Sequence, residues 1–291
     1  MRKPASEALG YPALLDQLGR GEPVAMMAQG GGCIAQASIA TFNDGSTVFV
    51  KTSQDAPGMF ECEAVGLAAL AEADAIRIPQ VLAVGHDALV LEAIQSAPRS
   101  PGFFRLFGEQ FASLHAYRGP LFGFQSDNFI GSTLQVNVPV GGGDSWPDFF
   151  FERRLVFQVE LAAQNEFGYE LQQLLESGAP RIMDLLAESD EPPSLLHGDL
   201  WSGNYMADEQ GRPCLIDPAV YFGHREADLA MTLLFGGFEP DFYAAYDEAL
   251  PLAPGHEERL KLYQLYHLLN HLNLFGTGYY EQCRQILQRY A

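Results

Sequence analysis

The sequence predicts an α+β fold of two lobes, a small antiparallel β lobe with one helix followed by a larger, mainly helical lobe. Three observations lead to this prediction. Strand-like patterns dominate between Val24 and Ile94, helical spacing of apolar residues dominates later, and a Ser- and Pro-rich segment separates the two regions. We therefore expect residues 1–94 to form the first lobe, 95–101 a hinge and 102–291 the second lobe.

The first lobe is expected to begin with a β-hairpin. Its first arm includes QGGGCIAQASIATF, a turn follows at residues 43–45, and the second arm is STVFVKT, whose apolar residues alternate. The segment MFECEAVGLAALAEA has apolar residues at helical spacing and few helix breakers, which predicts one helix. Two further strands, PQVLAVG and ALVLEAI, are joined by residues 85–87.

The second lobe is expected to be larger and helical. Helical spacing is present in FRLFGEQFASLHAY and, after a loop-rich stretch that ends at Pro147, in DFFFERRLVFQVELAAQ and ELQQLLESGAPRIMDLLAES. A short strand, CLI, is followed by four more helical segments, ADLAMTLLF, FYAAYDEAL, ERLKLYQLYHLLNHLNLF and YYEQCRQILQRY. The sequence contains no internal repeat and no low-complexity tract.

The charge of the chain argues against two classes of partner. The 291 residues include 17 Lys and Arg against 37 Asp and Glu, which gives a formal net charge of −20. Such a surface repels nucleic acid and anionic lipid, so we expect neither as a partner and favour a cationic or neutral substrate. The alternative is that the acidity only keeps the protein soluble or reflects a salt-adapted source.

The remaining composition predicts a cytoplasmic, globular protein. No run approaches the roughly 20 apolar residues that span a bilayer, and the start, MRKPASEALG, lacks the apolar core of a signal peptide. The four cysteines form no CxxC pair, which argues against a disulfide framework and a zinc site. We expect a monomer, with a dimer as the alternative, and reduced thiols at Cys33, Cys62, Cys214 and Cys283.

The run HGDLWSGN, residues 197–204, carries the strongest chemical signal. It fits the pattern H-x-D-x-x-x-x-N of a phosphoryl-transfer catalytic loop. Phosphoryl transfer needs one carboxylate at the attacking hydroxyl and oxygen ligands for Mg²⁺, so Asp199 is the candidate base. Asn204 and Asp217, the latter in Asp217-Pro218-Ala219, are the candidate metal ligands. Each alone could be a turn-capping residue, but the three in one register favour catalysis.

A nucleotide site is predicted in the first lobe. Gly30, Gly31 and Gly32 would let backbone amides approach phosphate oxygens, although a glycine triplet alone is a weak signal. Lys51 ends an alternating strand and would hold the α- and β-phosphates, with Glu63 on the following helix as its partner. The alternative, a solvated lysine and a surface glutamate, is disfavoured by the presence of the catalytic run.

Several further residues are candidates for supporting or separate roles. His197 is expected to bond loop backbone rather than to act as a base. Asp228 is expected to be the N-cap of the helix ADLAMTLLF, with bracing of the catalytic loop as a second role. Cys33 could be a redox-sensitive thiol, but a small residue at a strand start is the favoured interpretation. His115, His267 and His271 lie on helix-like segments. The last two have the spacing of a metal pair, yet no glutamate follows His267, so core or surface histidines are expected.

On these motifs the chain resembles the fructosamine kinase, or ketosamine-3-kinase, family, whose members are related to aminoglycoside and choline kinases within the protein-kinase-like fold. The resemblance runs over nearly the whole length. Its most specific parts are GGGCI, FVK, LLHGDLWSGN, DPAVYFGHREADLAM and QLYHLLNHLNLFG. The filling Trp201-Ser202-Gly203 between Asp199 and Asn204 is similar to that of fructosamine kinases in particular.

The resemblance implies ATP-dependent phosphorylation of the sugar 3-hydroxyl of a ketosamine, which is an amine that carries a rearranged ketose. Such 3-phosphates are unstable and release the amine, so the activity would repair glycated amines. It also implies Mg²⁺ as the metal and a sugar site lined by Trp201. The remaining roles that it implies are Asp199 as base, Asn204 and Asp217 as metal ligands, Lys51 and Glu63 as phosphate anchors, and Glu92, Ala93 and Ile94 as the adenine-binding backbone.

Two other functions stay open at the level of sequence. The chain could phosphorylate an aminoglycoside, choline or another amino alcohol, or it could be a nucleotide-binding pseudokinase that serves as a partner module. The metal loop contains Asp217-Pro218-Ala219 rather than D-F-G, and no A-P-E segment follows. Activation-loop switching is therefore not expected, and neither is a protein hydroxyl as acceptor. Free ketosamines and ketosamines attached to a protein both stay open as acceptors.

Overall fold

The computed structural model describes residues 11–30, 35–53, 58–139 and 141–291. The strands there are β1 (Ala25–Gln29), β2 (Gln36–Thr41), β3 (Thr47–Thr52), β4 (Val81–Val84), β5 (Ala88–Glu92), β6 (Asn128–Ile130), β7 (Thr133–Gln135), β8 (Ser194–Leu196), β9 (Tyr205–Ala207), β10 (Pro213–Leu215) and β11 (Tyr221–Gly223). The α-helices are α1 (Tyr11–Gln17), α2 (Met59–Glu72), α3 (Phe103–His115), α4 (Trp146–Phe150), α5 (Phe157–Gln164), α6 (Glu170–Ala187), α7 (Glu226–Leu234), α8 (Pro240–Ala249), α9 (His256–Phe275) and α10 (Tyr280–Leu287). A π-helical segment covers Phe151–Val156 and a 3₁₀ turn covers Thr277–Tyr279.

Strands β1 to β5 form one antiparallel sheet in the order β1-β2-β3-β5-β4. The predicted hairpin and its turn are confirmed: Gly45 has a φ of 79°, and the Asp44 carboxylate accepts hydrogen bonds from the Ser46 amide and hydroxyl. Side chains alternate along β3, so Val48 and Val50 are buried on one face with α1. Lys51 therefore points to the opposite face.

Helix α2 covers the face of the sheet to which Lys51 points. It was predicted from residue 59 to 73 and spans Met59–Glu72, after Gly58 with a φ of 85°. Phe60 and Leu67 are fully buried beneath the sheet, and burying one such side chain contributes about 1.5–3 kcal/mol. Glu63 lies on the same helix, which brings its carboxylate to Lys51.

The second lobe is built from the predicted helices around two apolar clusters. Helices α3 and α8 pack closely because Gly108 has no side chain: a Cβ there would lie 2.2 Å from the Phe242 carbonyl oxygen. Phe107 and Phe111 of α3 form edge or tilted ring contacts with Phe242, with centroids 5.1 and 5.8 Å apart. The catalytic loop lies against this cluster through Leu200, which is fully buried. The helical core thus fixes the base of the loop.

The stretch before Pro147 is more ordered than the sequence predicted. It contains the antiparallel hairpin β6–β7, whose strands have three residues each, and α4 begins at Trp146. Three-residue strands are too short to show a period of two, and this hairpin is held by buried amide side chains rather than by an apolar stripe. Helix α1 was not predicted, and a π-helical turn interrupts the predicted helix after Pro147.

Helix α9 is 20 residues long and crosses the second lobe. Its first turn carries Glu257 and Glu258, and Arg259 is buried against Glu226 at 2.7 Å.

Among the residues that the structure describes, no helix has both the length and the apolar character to cross a membrane.

Candidate active site

The catalytic loop joins β8 to β9 and is anchored through its first two residues. The His197 and Gly198 amides donate to the Asp228 carboxylate at 2.6 and 2.8 Å. Gly198 has a φ of 84°, and a Cβ there would lie 1.9 Å from the Ala219 carbonyl oxygen. Only glycine combines this backbone conformation with such a close approach. The loop is therefore pressed against the segment that follows Asp217.

Asp228 is not the helix N-cap that the sequence predicted. Helix α7 begins at Glu226, so Asp228 lies inside its first turn. The amides that its carboxylate accepts belong to the catalytic loop, which crosses the start of the helix, rather than to the helix itself. Burial raises the pKa of this carboxyl, but hydrogen bonds from His115 and Gly198 and the neighbouring His197 outweigh it and hold the pKa below its ordinary value. Asp228 is thus ionised and accepts the hydrogen bonds of the two loop amides.

A chain of buried polar groups leads to Asp228 from the opposite side. His115 Nε2 lies 3.2 Å from an Asp228 carboxylate oxygen, and His115 Nδ1 lies 2.7 Å from the Tyr246 hydroxyl. Burial lowers the pKa of His115, so the ring is neutral and its Nε2–H donates to Asp228. Tyr246 in turn donates to Nδ1 and accepts from Arg225 at 3.4 Å. Arg225, Tyr246 and His115 thus each donate toward Asp228, which accepts from His115 and from the loop amides.

His197 also contacts backbone. Its Nε2 lies 2.9 Å from the Ile216 carbonyl oxygen, and its Nδ1 accepts from the Asp199 amide at 3.3 Å. Burial lowers its pKa, which keeps the ring neutral. Both ring nitrogens are occupied, so His197 links the catalytic loop to the backbone of Ile216, the residue before Asp217.

Asp199 and Asn204 face each other across the loop. Asn204 Nδ2 donates to the Asp199 carbonyl at 2.8 Å and to its carboxylate at 3.2 Å. Burial raises the pKa of Asp199, and although Asn204 lowers it, the neighbouring Asp217 and Asp228 carboxylates raise it further, so it is well above the ordinary value. A raised pKa makes a carboxylate a better proton acceptor.

Lys51, Glu63 and Asp217 form one ion cluster across the two lobes. Lys51 Nζ lies 2.6 Å from the Glu63 carboxylate and bonds to the Asp217 carboxylate as well. Burial lowers the pKa of Lys51, but the two carboxylates more than compensate and raise it, so the ammonium stays charged. The alternative of a solvated lysine does not fit its 8% exposure.

The donors at this cluster suit a hard cation. Asp217 has a φ of 55° and a side chain that is 47% exposed, and Asn204 uses its Nδ2 on Asp199, which leaves its oxygen for a metal. Carboxylate and amide oxygens are the ligands that Mg²⁺ takes beside substrate phosphates and water. Among the described ranges, no group of three or more His, Cys, Asp and Glu converges on a metal point. Asp217 and Asn204 would therefore hold Mg²⁺ together with phosphates.

The other predicted site residues are placed as follows. Gly30 follows β1 directly, whereas Gly31, Gly32 and Cys33 lie outside the described residues, so their roles stay predictions. Glu92 ends β5, its amide donates to the Gln80 carbonyl and its carboxylate pairs with Arg77, and Ala93 and Ile94 continue the chain toward the second lobe. Trp201 is 39% exposed, and its indole lies over Gly203, where a Cβ would come within 2.3 Å of the ring.

The family model for fructosamine kinase matches residues 13–291. The chain belongs to the fructosamine kinase family. A probable ketoamine kinase of Synechocystis is 41% identical to it over 265 residues, which cover 89% of this chain and 88% of the relative. The chloroplastic protein-ribulosamine 3-kinase of Oryza sativa subsp. japonica is 40% identical over 274 residues, which cover 90% of this chain and 77% of that protein. The predicted family is confirmed.

Two solved structures have the fold that was predicted for this chain. A Haemophilus somnus protein, provisionally named a fructosamine-3-kinase, superposes with a TM-score of 0.85 at 29% identity and covers 96% of each chain. The APH(2")-IIa ternary complex with streptomycin and ATP superposes with a TM-score of 0.66 at 13% identity, again over 96% of each chain. At that identity the second likeness concerns the fold alone. This family member has the two-lobed, protein-kinase-like fold that the sequence predicted.

Two groups in this fructosamine kinase family member were missed by sequence reasoning. His115 was assigned only to the core or the surface, although it contacts Asp228, because a single histidine in an amphipathic helix gives no sign of its partner. The hairpin β6–β7 was read as a loop. The amides on and directly after it, Asn128, Gln135 and Asn137, are at most 6% exposed. Three carboxamides within ten residues, in a stretch otherwise rich in apolar residues, were the available signal.

Proposed function

We propose that the protein is a ketosamine-3-kinase that uses ATP and Mg²⁺ to phosphorylate the 3-hydroxyl of a ketose attached to an amine. The observation that carries this proposal is the cluster of Asp199, Asn204, Asp217 and Lys51 in a chain of the fructosamine kinase family. It combines one carboxylate for the attacking hydroxyl with oxygen ligands and a cation for the phosphates. The names of the relatives, a ketoamine kinase and a protein-ribulosamine 3-kinase, support the class of acceptor.

The proposed chemical step is a direct transfer. The sugar hydroxyl donates a hydrogen bond to Asp199, its oxygen attacks the γ-phosphorus, and the bond to the bridging oxygen of ADP breaks. The hydroxyl proton passes to Asp199, whose raised pKa supports this acceptance. Mg²⁺ held by Asp217 and Asn204 would neutralise charge that develops on the phosphate oxygens. The base and the metal ligands are thus kept on one loop and its neighbour.

ATP is proposed to lie between the lobes. Lys51 would contact the α- and β-phosphates, and Glu63 keeps its ammonium in place through the 2.6 Å contact. The glycines 30–32 would offer backbone amides to the phosphates, and the backbone of residues 92–94 would hold the adenine. These assignments give the first lobe and the start of the connection at residue 95 a single role, which is to hold the nucleotide.

The acceptor is proposed to stack on Trp201. Trp201 follows the base by two residues and is 39% exposed, so its indole can offer an apolar face to the ring or chain of a sugar. The net charge of −20 favours the cationic amine end of a ketosamine, whether that amine is a small molecule or a protein side chain. The product 3-phosphate would release the amine, and the protein would thereby act in repair of glycated amines.

A reducing, cytoplasmic setting is part of the proposal. Among the described residues, Cys62, Cys214 and Cys283 are free, and free thiols are typical of proteins from reducing compartments. Burial raises the pKa of Cys214 and Cys283 to about 12, so neither is a reactive thiolate. A monomer contains every residue that the proposed step uses.

The test is a substrate panel with Mg·ATP. We expect phosphorylation of ribulosamines or fructosamines, seen as a new phosphate ester by ³¹P NMR and followed by release of the amine. Aminoglycosides and choline are included because they are the acceptors of the alternative small-molecule kinase. Asp199→Ala should lower turnover by about 10²- to 10⁴-fold while ATP still binds, since it removes the proton acceptor.

Two outcomes would contradict the proposal. Turnover of aminoglycosides or choline alone would assign the site to another acceptor class. Binding of ATP without turnover on any acceptor would favour a pseudokinase. Retention of full turnover by Asp199→Ala would refute the assignment of the base even if ketosamines are the substrates.

A further inference from the structure

We propose that Asn128, Gln135 and Asn137, which we call the amide cluster, are positioning residues that hold the backbone after Asp217 and so keep Asp217 in its metal-binding place. The cluster lies on and directly after the β6–β7 hairpin, far from the catalytic run in sequence. The inference rests on the proposed kinase function, because it concerns the residue that would bind the metal there.

The amide cluster contacts the two residues that come just after Pro218. Asn128 Nδ2 donates to the Val220 carbonyl oxygen at 2.8 Å, and Gln135 Nε2 donates to the Ala219 carbonyl oxygen at 2.9 Å. The Ala219 amide in turn donates to the His197 carbonyl at 2.9 Å. The segment after the metal ligand is therefore fixed from both sides, by the hairpin and by the catalytic loop.

The amide cluster is itself fixed. Asn128 Oδ1 accepts from Gln135 Nε2 and from Asn137 Nδ2, both at 2.8 Å. Arg154 Nη2 donates to Asn137 Oδ1 at 2.7 Å, and the Tyr266 hydroxyl donates to Gln135 Oε1 at 2.7 Å. Each amide oxygen thus accepts from a neighbour, which leaves the nitrogens of Asn128 and Gln135 directed at the two carbonyls. Apolar residues of similar size would fill the space without setting a direction.

Asp217 needs such support because of its backbone. Its φ of 55° is in the left-handed region, which is unfavourable for a residue with a side chain and persists only where the surroundings hold it. The first backbone group that the amide cluster holds is the Ala219 carbonyl, two residues after Asp217. On the other side of the same segment, a Cβ at Gly66 of α2 would lie 3.1 Å from Val220, so the helix that carries Glu63 packs directly on it. The hairpin and α2 also meet, with Cys62 Sγ 3.6 Å from the Asp127 carbonyl oxygen.

The experiment compares two glutamine-to-methionine variants. Gln135→Met removes both donors of Gln135 and keeps its volume. Gln158→Met is the matched control: Gln158 is as deeply buried, donates to Asn270 at 3.3 Å and accepts from Asn273 at 2.8 Å, but its side chain forms no hydrogen bond with residues 217–220. Hydrogen exchange of the Ala219 amide is measured on both, and so is the Mg²⁺ concentration that gives half-maximal phosphorylation of the accepted ketosamine.

Gln135→Met should speed exchange of the Ala219 amide about tenfold and raise the half-maximal Mg²⁺ concentration several-fold, while Gln158→Met changes neither, even if both variants melt at a lower temperature. Equal behaviour of the two variants would overturn the proposal. If Gln135→Met does not fold, Tyr266→Phe takes its place, since it removes only the hydroxyl that orients Gln135, and an unchanged exchange rate and Mg²⁺ requirement would overturn the proposal equally.

The two readouts also separate this proposal from the proposed function. Exchange of the Ala219 amide needs no substrate, so it decides whether the amide cluster holds the segment even if no ketosamine is phosphorylated. A changed exchange rate with no ketosamine turnover in the wild-type protein would leave the positioning intact and refute the function alone.

Discussion

Replacing Asp228 by asparagine is expected to disable the catalytic loop while leaving the nucleotide site intact. The Asp228 carboxylate is a pure acceptor and takes hydrogen bonds from His197, Gly198 and His115, at 2.6, 2.8 and 3.2 Å. Asparagine keeps the shape but has one oxygen and one NH₂ group. At least one of the two loop amides must then face a donor.

The magnitude follows from these contacts. A hydrogen bond to a charged group contributes about 1.5–3 kcal/mol, and a buried amide left without an acceptor costs about 1–3 kcal/mol. We therefore expect the free energy of unfolding to fall by roughly 3 kcal/mol. A displacement of about 1 Å in a catalytic group can cost about 10²-fold in rate, so kcat should drop by that order while ATP affinity changes little. The reason is that Lys51 and Glu63 do not contact Asp228.

The matched control is Asp208→Asn. Asp208 is also fully buried and accepts amides, those of Gln210 and Arg212 at 2.9 and 2.8 Å, but it lies in the turn between β9 and β10. Chemical denaturation gives the stability of each variant, calorimetry the ATP affinity and a coupled assay kcat. A kcat for Asp228→Asn no lower than that of Asp208→Asn would refute the role of Asp228 in holding the loop.

The same substitution has a pH signature. Because the folded-state pKa of Asp228 is lowered, its contribution to stability is complete above the unfolded value of about 3.9 and is lost as pH falls through the folded value. Asp228→Asn should therefore lose less stability than the wild-type protein when melts are compared between pH 5 and pH 3. A parallel loss in both proteins would show that Asp228 does not carry this titration.

Three further changes test neighbouring parts of the site. Tyr246→Phe should lower kcat about threefold to tenfold with an unchanged KM for ATP, because it removes the hydrogen bond that orients His115. A rise in that KM as large as the fall in kcat would contradict the proposed effect of Tyr246 on Asp228 through His115. Lys51→Met should raise the KM for ATP and lower kcat/KM by about 10²-fold or more, measured by initial rates. The reason is that, among the described residues, Lys51 is the one cation at the proposed phosphate site. A normal kcat/KM would contradict its role. Gly198→Ala should prevent folding or abolish activity, whereas Gly19→Ala, also at positive φ but with nothing within 4 Å of the added Cβ, should cost only about 1 kcal/mol by thermal melt. Similar losses in the two glycine variants would exclude the contact with Ala219 as the cause.

Features that depend on neighbouring residues in the chain were predicted correctly, whereas a contact between distant residues was not. Helix α2 and strands β3 to β5 follow local periodicity, and the structure places them within a few residues of the predicted bounds. The HGDLWSGN run names its chemistry because the spacing of Asp199 and Asn204 is itself the motif. The Asp228 N-cap was wrong for the complementary reason. An Asp before an apolar run looks the same whether it accepts amides from its own helix or from a loop 30 residues earlier.

The sequence by itself determined the two-lobed fold, the family and the identity of the groups proposed to transfer a phosphoryl group, since these depend on periodicity and on motifs within one short segment. Only the tertiary structure decided what holds those groups. Glu63 and Asp217 meet at Lys51 although 154 positions separate them in the chain. Asp228 accepts the Gly198 amide on one carboxylate oxygen and both the His197 amide and His115 on the other. The amide cluster reaches the Ala219 and Val220 carbonyls from 84 and 92 residues away. Such contacts depend on burial and on the direction of each donor, and a linear sequence records neither.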